Sequence, residues 1–132
     1  MIPRFRAYDS GSCTRMHEPH EVMVGDGDIW VINEDDDGRW IVNNDLHLMQ
    51  STGLKDKNGK EIFGGDILSI ETNEENVKVE VFWDSKHALF AFESKKYNEK
   101  VPLDELFEDN SYPFKIIGNI WENPELAEVS HD

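Results

Sequence analysis

The chain has 132 residues, 38% hydrophobic and 11% aromatic, which is enough for one domain with a modest core and argues against disorder. Its formal net charge of −15 disfavours phosphate backbones and anionic membrane surfaces, and suits a basic partner or simple solubility. The single cysteine, Cys13, excludes an intramolecular disulfide framework and an all-cysteine zinc site.

Taken in chain order, "RFRAY" (4–8) alternates like a short strand, and "DSGSCTRMHEPHEV" (9–22) reads as a loop. "DIWVI" (28–32) and "RWIVN" (39–43) are β-branched and aromatic, with the polar turn "NEDDDG" between them, which predicts a hairpin. "LHLMQ" (46–50) is a further apolar segment, and "GDILSI" (65–70) a strand. "VKVEVFW" (77–83) places Val77, Val79, Val81 and Trp83 on one face and Lys78, Glu80 and Phe82 on the other. "DSKH" turns the chain into "ALFAFES" (88–94), a second hairpin with aromatic residues on both arms. Pro102, with Leu103, Leu106 and Phe107 at helical spacing, predicts a short helix over 101–110. "KIIGNIW" (115–121) reads as a buried strand interrupted by Gly118, and "ENPELAEV" as a closing helix with Asn123 as cap and Pro124 at its first position. No apolar run approaches the roughly 20 residues that span a bilayer, and "MIPRFRAYDS" has no apolar signal core behind its arginines, so a cytoplasmic location is expected. These elements predict a single, mainly β domain over 1–132, a small barrel with one or two short helices.

Several stretches invite a chemical reading. "GLKDKNGK" (53–60) looks like a phosphate loop, but five residues separate Gly53 from Gly59 where a P-loop has four. Glu61 also stands where the hydroxyl belongs, and no long helix follows. The stretch reads instead as a turn, with Asp56 bonding to following amides and Asn58-Gly59 tolerating positive φ. "NEDDDG" (33–38) matches the first half of a calcium loop through Asn33, Asp35 and Asp37, but Asn44 stands where the bidentate glutamate is needed. Cys13, His17, His20 and His47 are zinc-type donors without a common zinc spacing. Ser10, Ser12, Ser51 and Ser85 lack a nucleophile-elbow context, and Cys13 is not placed against either histidine by anything in the sequence. With 28 acidic residues, a carboxylate pair carries little information. Trp30, Trp40, Trp83 and Trp121, with Tyr8, Tyr97 and Tyr112, suit either a stacking platform or, as expected here, the filling of a small barrel core.

"LMQSTGLKDKNGKEIFGGDIL" (48–68), "IGNIWENPEL" (117–126) and the opening "IPRFRAYD" (2–9) together resemble the YopX proteins of bacteriophages and prophages of low-GC Gram-positive bacteria. The resemblance implies an all-β pseudo-barrel with a bifurcated sheet, which agrees with the SH3-like strand–turn–strand look of "VEVFWDSKHALFAF" (79–92), assembly into oligomers, and no established enzymatic activity, cofactor or catalytic residue. It marks Gly53, Asp56, Asn58, Gly59, Gly65 and Asp66 as signature turn residues and carries no catalytic or metal-binding residue across.

The expectation is therefore a non-enzymatic, homo-oligomeric protein-binding module in the cytoplasm of a bacterial host, with a host or phage protein as partner. Leu48, Met49, Tyr97 and Trp121 are the candidate contact residues. An acidic decoy of a DNA-binding protein, presenting Glu34–Asp37 and Glu71–Glu75, is the alternative. A nucleic-acid-binding barrel using Lys55, Lys57 and Lys60 is a further alternative, opposed by the net charge, as is a metal-assisted enzyme using Asp35, Asp37 or the His17/His20 loop.

Overall fold

The computed structural model describes residues 4–11, 14–33, 38–94, 99–109 and 112–127. The chain divides into two compact units, Met1–Ser51 and Thr52–Asp132. The fold class is mainly β, with a curled half-barrel sheet and two short helices, as the sequence predicts.

The first unit is built from β1 (Phe5–Asp9), β2 (Arg15–His17), β3 (Val22–Gly25), β4 (Asp28–Asn33), β5 (Arg39–Val42) and the start of β6 (His47–Lys55). Strand β1 lies between β2 and β6, with Ala7 opposite both His17 and Leu48. Strands β3, β4 and β5 form an antiparallel meander with β4 in the middle. Asp26 and Gly27 join β3 to β4 with φ of 53° and 79°, the paired positive values of a tight hairpin turn that asparagine, aspartate and glycine tolerate best. Ala7, Val22, Val31 and Leu46 are buried together, with Phe5 and Ile29 against them. The stretch 9–22 is thus not wholly a loop. It holds β2 and a 3-10 turn at Pro19–Glu21, and its last residue opens β3. These segments are three or four residues long, too short for a period-2 pattern to stand out.

The second unit begins with the end of β6 and continues through β7 (Glu61–Phe63), β8 (Asp66–Glu71), β9 (Asn76–Asp84), β10 (Leu89–Ser94), β11 (Glu99–Pro102), α1 (Glu105–Asp109), β12 (Phe114–Asn119) and α2 (Pro124–Ala127). Five strands form an antiparallel sheet in the order β11-β10-β9-β8-β12, and β7 lies beside β6. Strand β8 is buried on both faces from Asp66 to Ile70, which explains why "DILSI" reads as a continuous run rather than an alternation. The core contains Ile62, Leu68, Ile70, Val79, Val81, Leu103 and Phe114, each contributing about 1.5–3 kcal/mol by leaving water.

Pro102 does not start the helix. It pairs with Ala91 at the end of β11, an edge strand, where a missing N–H breaks no ladder. The buried Leu103 follows, its amide donating to Phe90 O at 3.0 Å, and α1 begins two residues later. The tryptophans do not fill a core. Trp40, Trp83 and Trp121 are exposed and Trp30 is half-buried, whereas the buried apolar side chains are mostly aliphatic. Trp83 does share a face with Val79 and Val81, but it stands two rungs past Val81, near the end of β9, and its ring leans edge-on against Phe90 at 5.0 Å between centroids.

Candidate functional site

The signature residues of the second unit converge on one structural knot. Between β6 and β7 the chain turns through residues 56–60. Asp56 is 7% exposed, and its carboxylate accepts three backbone amides: Asn58 and Lys60 through Oδ1 and Ile116 through Oδ2, each at 2.9 Å. The first two bonds close the turn on itself, and Gly59 adopts φ 78° to allow it. The third reaches 60 residues along the chain to β12. The Lys57 amide donates to Phe114 O at 3.2 Å beside it.

Asp66 does a related task one turn later. It is fully buried, and its Oδ2 accepts the Phe63 amide at 2.8 Å, which shapes the turn between β7 and β8 around Gly65 (φ 96°). Gly65 O then accepts the Ile120 amide at 2.9 Å, the second tie to the C-terminal signature. There, Asn119 Oδ1 accepts the amides of Trp121 (3.0 Å) and Glu122 (2.8 Å), and the Asn119 amide donates to Asn123 Oδ1 at 3.3 Å. Gly118 has to be glycine for space: a Cβ there would stand 2.5 Å from Asn123 Oδ1 and 2.9 Å from Leu126 Cδ1. The ladder between β8 and β12 slips between Ile116 and Gly118, a bulge that sets this corner.

What this arrangement can do chemically follows from where its lone pairs go. The Asp56 carboxylate is buried and engaged by backbone donors, so its role here is to hold the turn against β12. The turn's lysines are also committed in part: Lys57 Nζ bonds Glu71 Oε1 at 2.7 Å, and that hydrogen bond, followed by the lysine's charge, holds the Glu71 carboxyl below its ordinary range. Gly53 sits within β6 with φ 80°.

The candidate contact residues are scattered. Leu48 is 36% exposed on β6, but Met49 is buried at 3%, with Arg6 Nη2 3.5 Å from its sulfur. Alternation along β6 turns one of the two neighbours outward and the other inward, so Met49 is removed from the surface set. Trp121 is exposed, and Tyr97 lies outside the described residues.

The zinc-type donors are also dispersed. His47 Nε2 and Ser10 Oγ lie 2.9 Å apart, while His17 is buried on β2. Among the described residues no group of three His, Cys, Asp or Glu side chains is arranged to hold a metal ion. Cys13, Asp35 and Asp37 lie outside them. The His17/His20 loop instead frames an ion pair between Arg15 and the buried Glu21. Burial alone would raise the Glu21 carboxyl, but the Glu18 amide, 3.1 Å away, and the charges of Arg15, His20 and His17 outweigh it and leave it below the ordinary range. A depressed folded value means a stabilising contribution that is present above the unfolded pKa and lost as pH falls through the folded one. Glu21→Gln is therefore expected to cost about 1 kcal/mol near neutral pH, since Arg15 is 43% exposed and partly screened. Urea unfolding across a pH series should show that gap closing in acid.

Asp84 and His87 form a close pair in the β9–β10 turn, with 2.8 Å between Oδ2 and Nδ1. The histidine hydrogen bond is the main reason the Asp84 carboxyl is held below its ordinary range. Asp84 Oδ1 also accepts the Lys86 and His87 amides, so the pair caps a turn.

Sequence reasoning missed one surface. In the β3-β4-β5 meander, Val22, Val31 and Ile41 share the face that carries the core, and the opposite face exposes several apolar side chains. That opposite face holds the rung Met23–Trp30–Val42 and the neighbouring pair Ile32–Trp40. Met23, Trp40 and Val42 are 47%, 39% and 44% exposed, and all four residues of β5 are exposed. The available signal was the apolar content of both faces of "RWIV", which a half-buried strand does not need.

Comparison with known proteins agrees with this geometry. A family model described as YopX protein matches residues 4–128. Protein EF1440 from Enterococcus faecalis is similar in structure, with 28% identity and a TM-score of 0.64 over 97% of this chain and 99% of that one. Protein yopX from Bacillus subtilis is similar in fold, with 17% identity and a TM-score of 0.64 over 95% of this chain and 98% of that one. No curated protein matches the chain. No helix among the described residues is long and apolar enough to cross a membrane. With the family model spanning both signature stretches and the knot that they form, the chain belongs to the YopX protein family.

Proposed function

We propose that the protein is a non-enzymatic, oligomeric protein-binding module that acts inside a bacterial host cell. The observation that carries this reading is the apolar face of the first unit, with Met23, Trp40 and Val42 exposed on one side of a three-stranded sheet. Contiguous apolar surface rimmed by charge is what protein interfaces use. The signature residues support the non-enzymatic part, since Asp56, Gly59, Asp66, Gly118 and Asn119 all serve backbone geometry. Size-exclusion chromatography with light scattering over a hundredfold range of protein concentration should report a mass above that of one 15.3 kDa chain. A monomer at every concentration would remove the oligomeric part.

The net charge of −15 favours a second reading, an acidic decoy for a DNA-binding protein. Of its proposed charge rows, Glu71 is engaged by Lys57, and Glu34–Asp37 lies outside the described residues. Pull-downs from host lysate at several salt concentrations test it, and recovery of no basic or DNA-binding protein would exclude it.

A further inference from the structure

We infer that β5 is the self-pairing edge of the molecule: two copies join antiparallel through β5, in the single register that places Ile41 opposite Ile41 of the second copy. The inference rests on the assembly reading above and specifies its interface.

The phase of the β4–β5 ladder sets which backbone groups of β5 face outward. The Asn43 amide donates to Ile29 O at 2.9 Å, and these residues stand directly opposite one another when the β4–β5 register is extended by one rung. In an antiparallel pair, hydrogen-bonded and non-hydrogen-bonded rungs alternate. Val31–Ile41 is therefore a hydrogen-bonded rung, and Trp30–Val42 and Ile32–Trp40 are not. The backbone N–H and C=O of Trp40 and Val42 consequently point away from β4. Strand β5 is last in its sheet, so they point off an open edge. Edge strands are usually blunted by lysine, proline or a bulge. Between Arg39 and Val42 this one has none of these, and its last three residues are Trp40, Ile41 and Val42.

A second copy fits this edge by its own symmetry. Antiparallel pairing centred on Ile41 sets Trp40 against Val42 of the other copy, and Val42 against Trp40. All four carry outward-pointing backbone groups, so each of these rungs exchanges a pair of N–H···O bonds. The three central rungs are apolar on apolar, and a two-fold contact of this kind uses the β5 edge of both copies. Residues directly opposite share a face, so the Met23–Trp30–Val42 surface of one copy runs on into Trp40 and Ile32 of the other. Charge places the contact here as well. Two chains of −15 repel one another, and the Trp40–Val42 stretch presents no charge. Arg39 of one copy falls opposite Asn43 of the other, so no like charges meet on the rungs of the seam itself.

The test is cross-linking in a chain whose native thiol has been removed by Cys13→Ser. In the proposed register Ile41 faces itself at a non-hydrogen-bonded rung, where Cα atoms stand about 4.5 Å apart, inside the span that a disulfide bridges. Mild oxidation of Ile41→Cys should therefore yield a covalent dimer. Val24→Cys, equally exposed but on β3 at the far edge of the meander, should remain uncross-linked. Val42→Lys should weaken self-association by roughly tenfold or more while leaving the unfolding midpoint unchanged at concentrations where both chains are monomeric, because a lysine on each hydrogen-bonded rung opposes edge pairing. Added salt should strengthen the wild-type association by screening the repulsion between copies. An assembled protein in which Val24→Cys cross-links and Ile41→Cys does not would overturn this interface and leave the assembly reading standing. A wild-type chain that stays monomeric would overturn both.

Discussion

Asp56→Ala is expected to lower the free energy of unfolding by about 3–5 kcal/mol, read as a lower urea midpoint with an unchanged slope. The magnitude follows from what is left behind. Three amides, of Asn58, Lys60 and Ile116, lose a charged acceptor in a place that is 7% exposed. A hydrogen bond to a charged group contributes about 1.5–3 kcal/mol, and water entering beside the shortened side chain recovers part of the loss. Asp56→Asn separates charge from geometry. The amide keeps one acceptor oxygen and brings an NH2 group against a donor, so it should recover less than half of the loss. A result within 0.5 kcal/mol of wild type for Asp56→Ala would mean that the turn holds itself without the carboxylate.

Leu68→Ala is expected to cost about 2–5 kcal/mol. Leu68 is fully buried on β8, the strand between β9 and β12, and lies opposite Val79 on one side and Ile116 on the other. With paired strands on both sides, the backbone has little room to collapse into the space left, so the upper half of that range is expected. Thermal unfolding by circular dichroism is the direct measurement. Leu48→Ala, at 36% exposure on β6, serves as the control and should change stability by less than about 0.5 kcal/mol.

The strands that the sequence announces are those whose two faces differ. Val79 and Val81 alternate with Lys78 and Glu80, and burial follows that alternation. The turn chemistry at Asp56 is equally plain, because an aspartate two residues before an amide that needs an acceptor is a local event. The third bond of Asp56, to Ile116, has no local trace: it depends on where β12 comes to lie, 60 residues later. Strand β3 escaped notice for a different reason. It is four residues long, yet Asp26-Gly27 behind it is a strong hairpin signal, and reading that turn first would have placed β3 against β4. The tryptophans misled because bulk was taken for burial. The strand-lined interior is filled mostly by aliphatic side chains, with Phe63 and Phe114, and the tryptophans stand at strand ends and on the exposed face.

The bond between Asp56 and Ile116 also bears on the order in which the chain can fold during synthesis. A ribosome adding about 5–20 residues per second delivers β12 some 3–12 s after the turn that it must meet. For much of that interval β8 is a nascent edge carrying Ile67, Leu68 and Ile70, with β9 soon available on one side and no strand yet made for the other. The same carboxylate that locks the finished molecule is, in the growing chain, still waiting for its third donor. This unit therefore completes its sheet only once β12 has been made, and chains truncated before residue 114 would present an open apolar strand to one another.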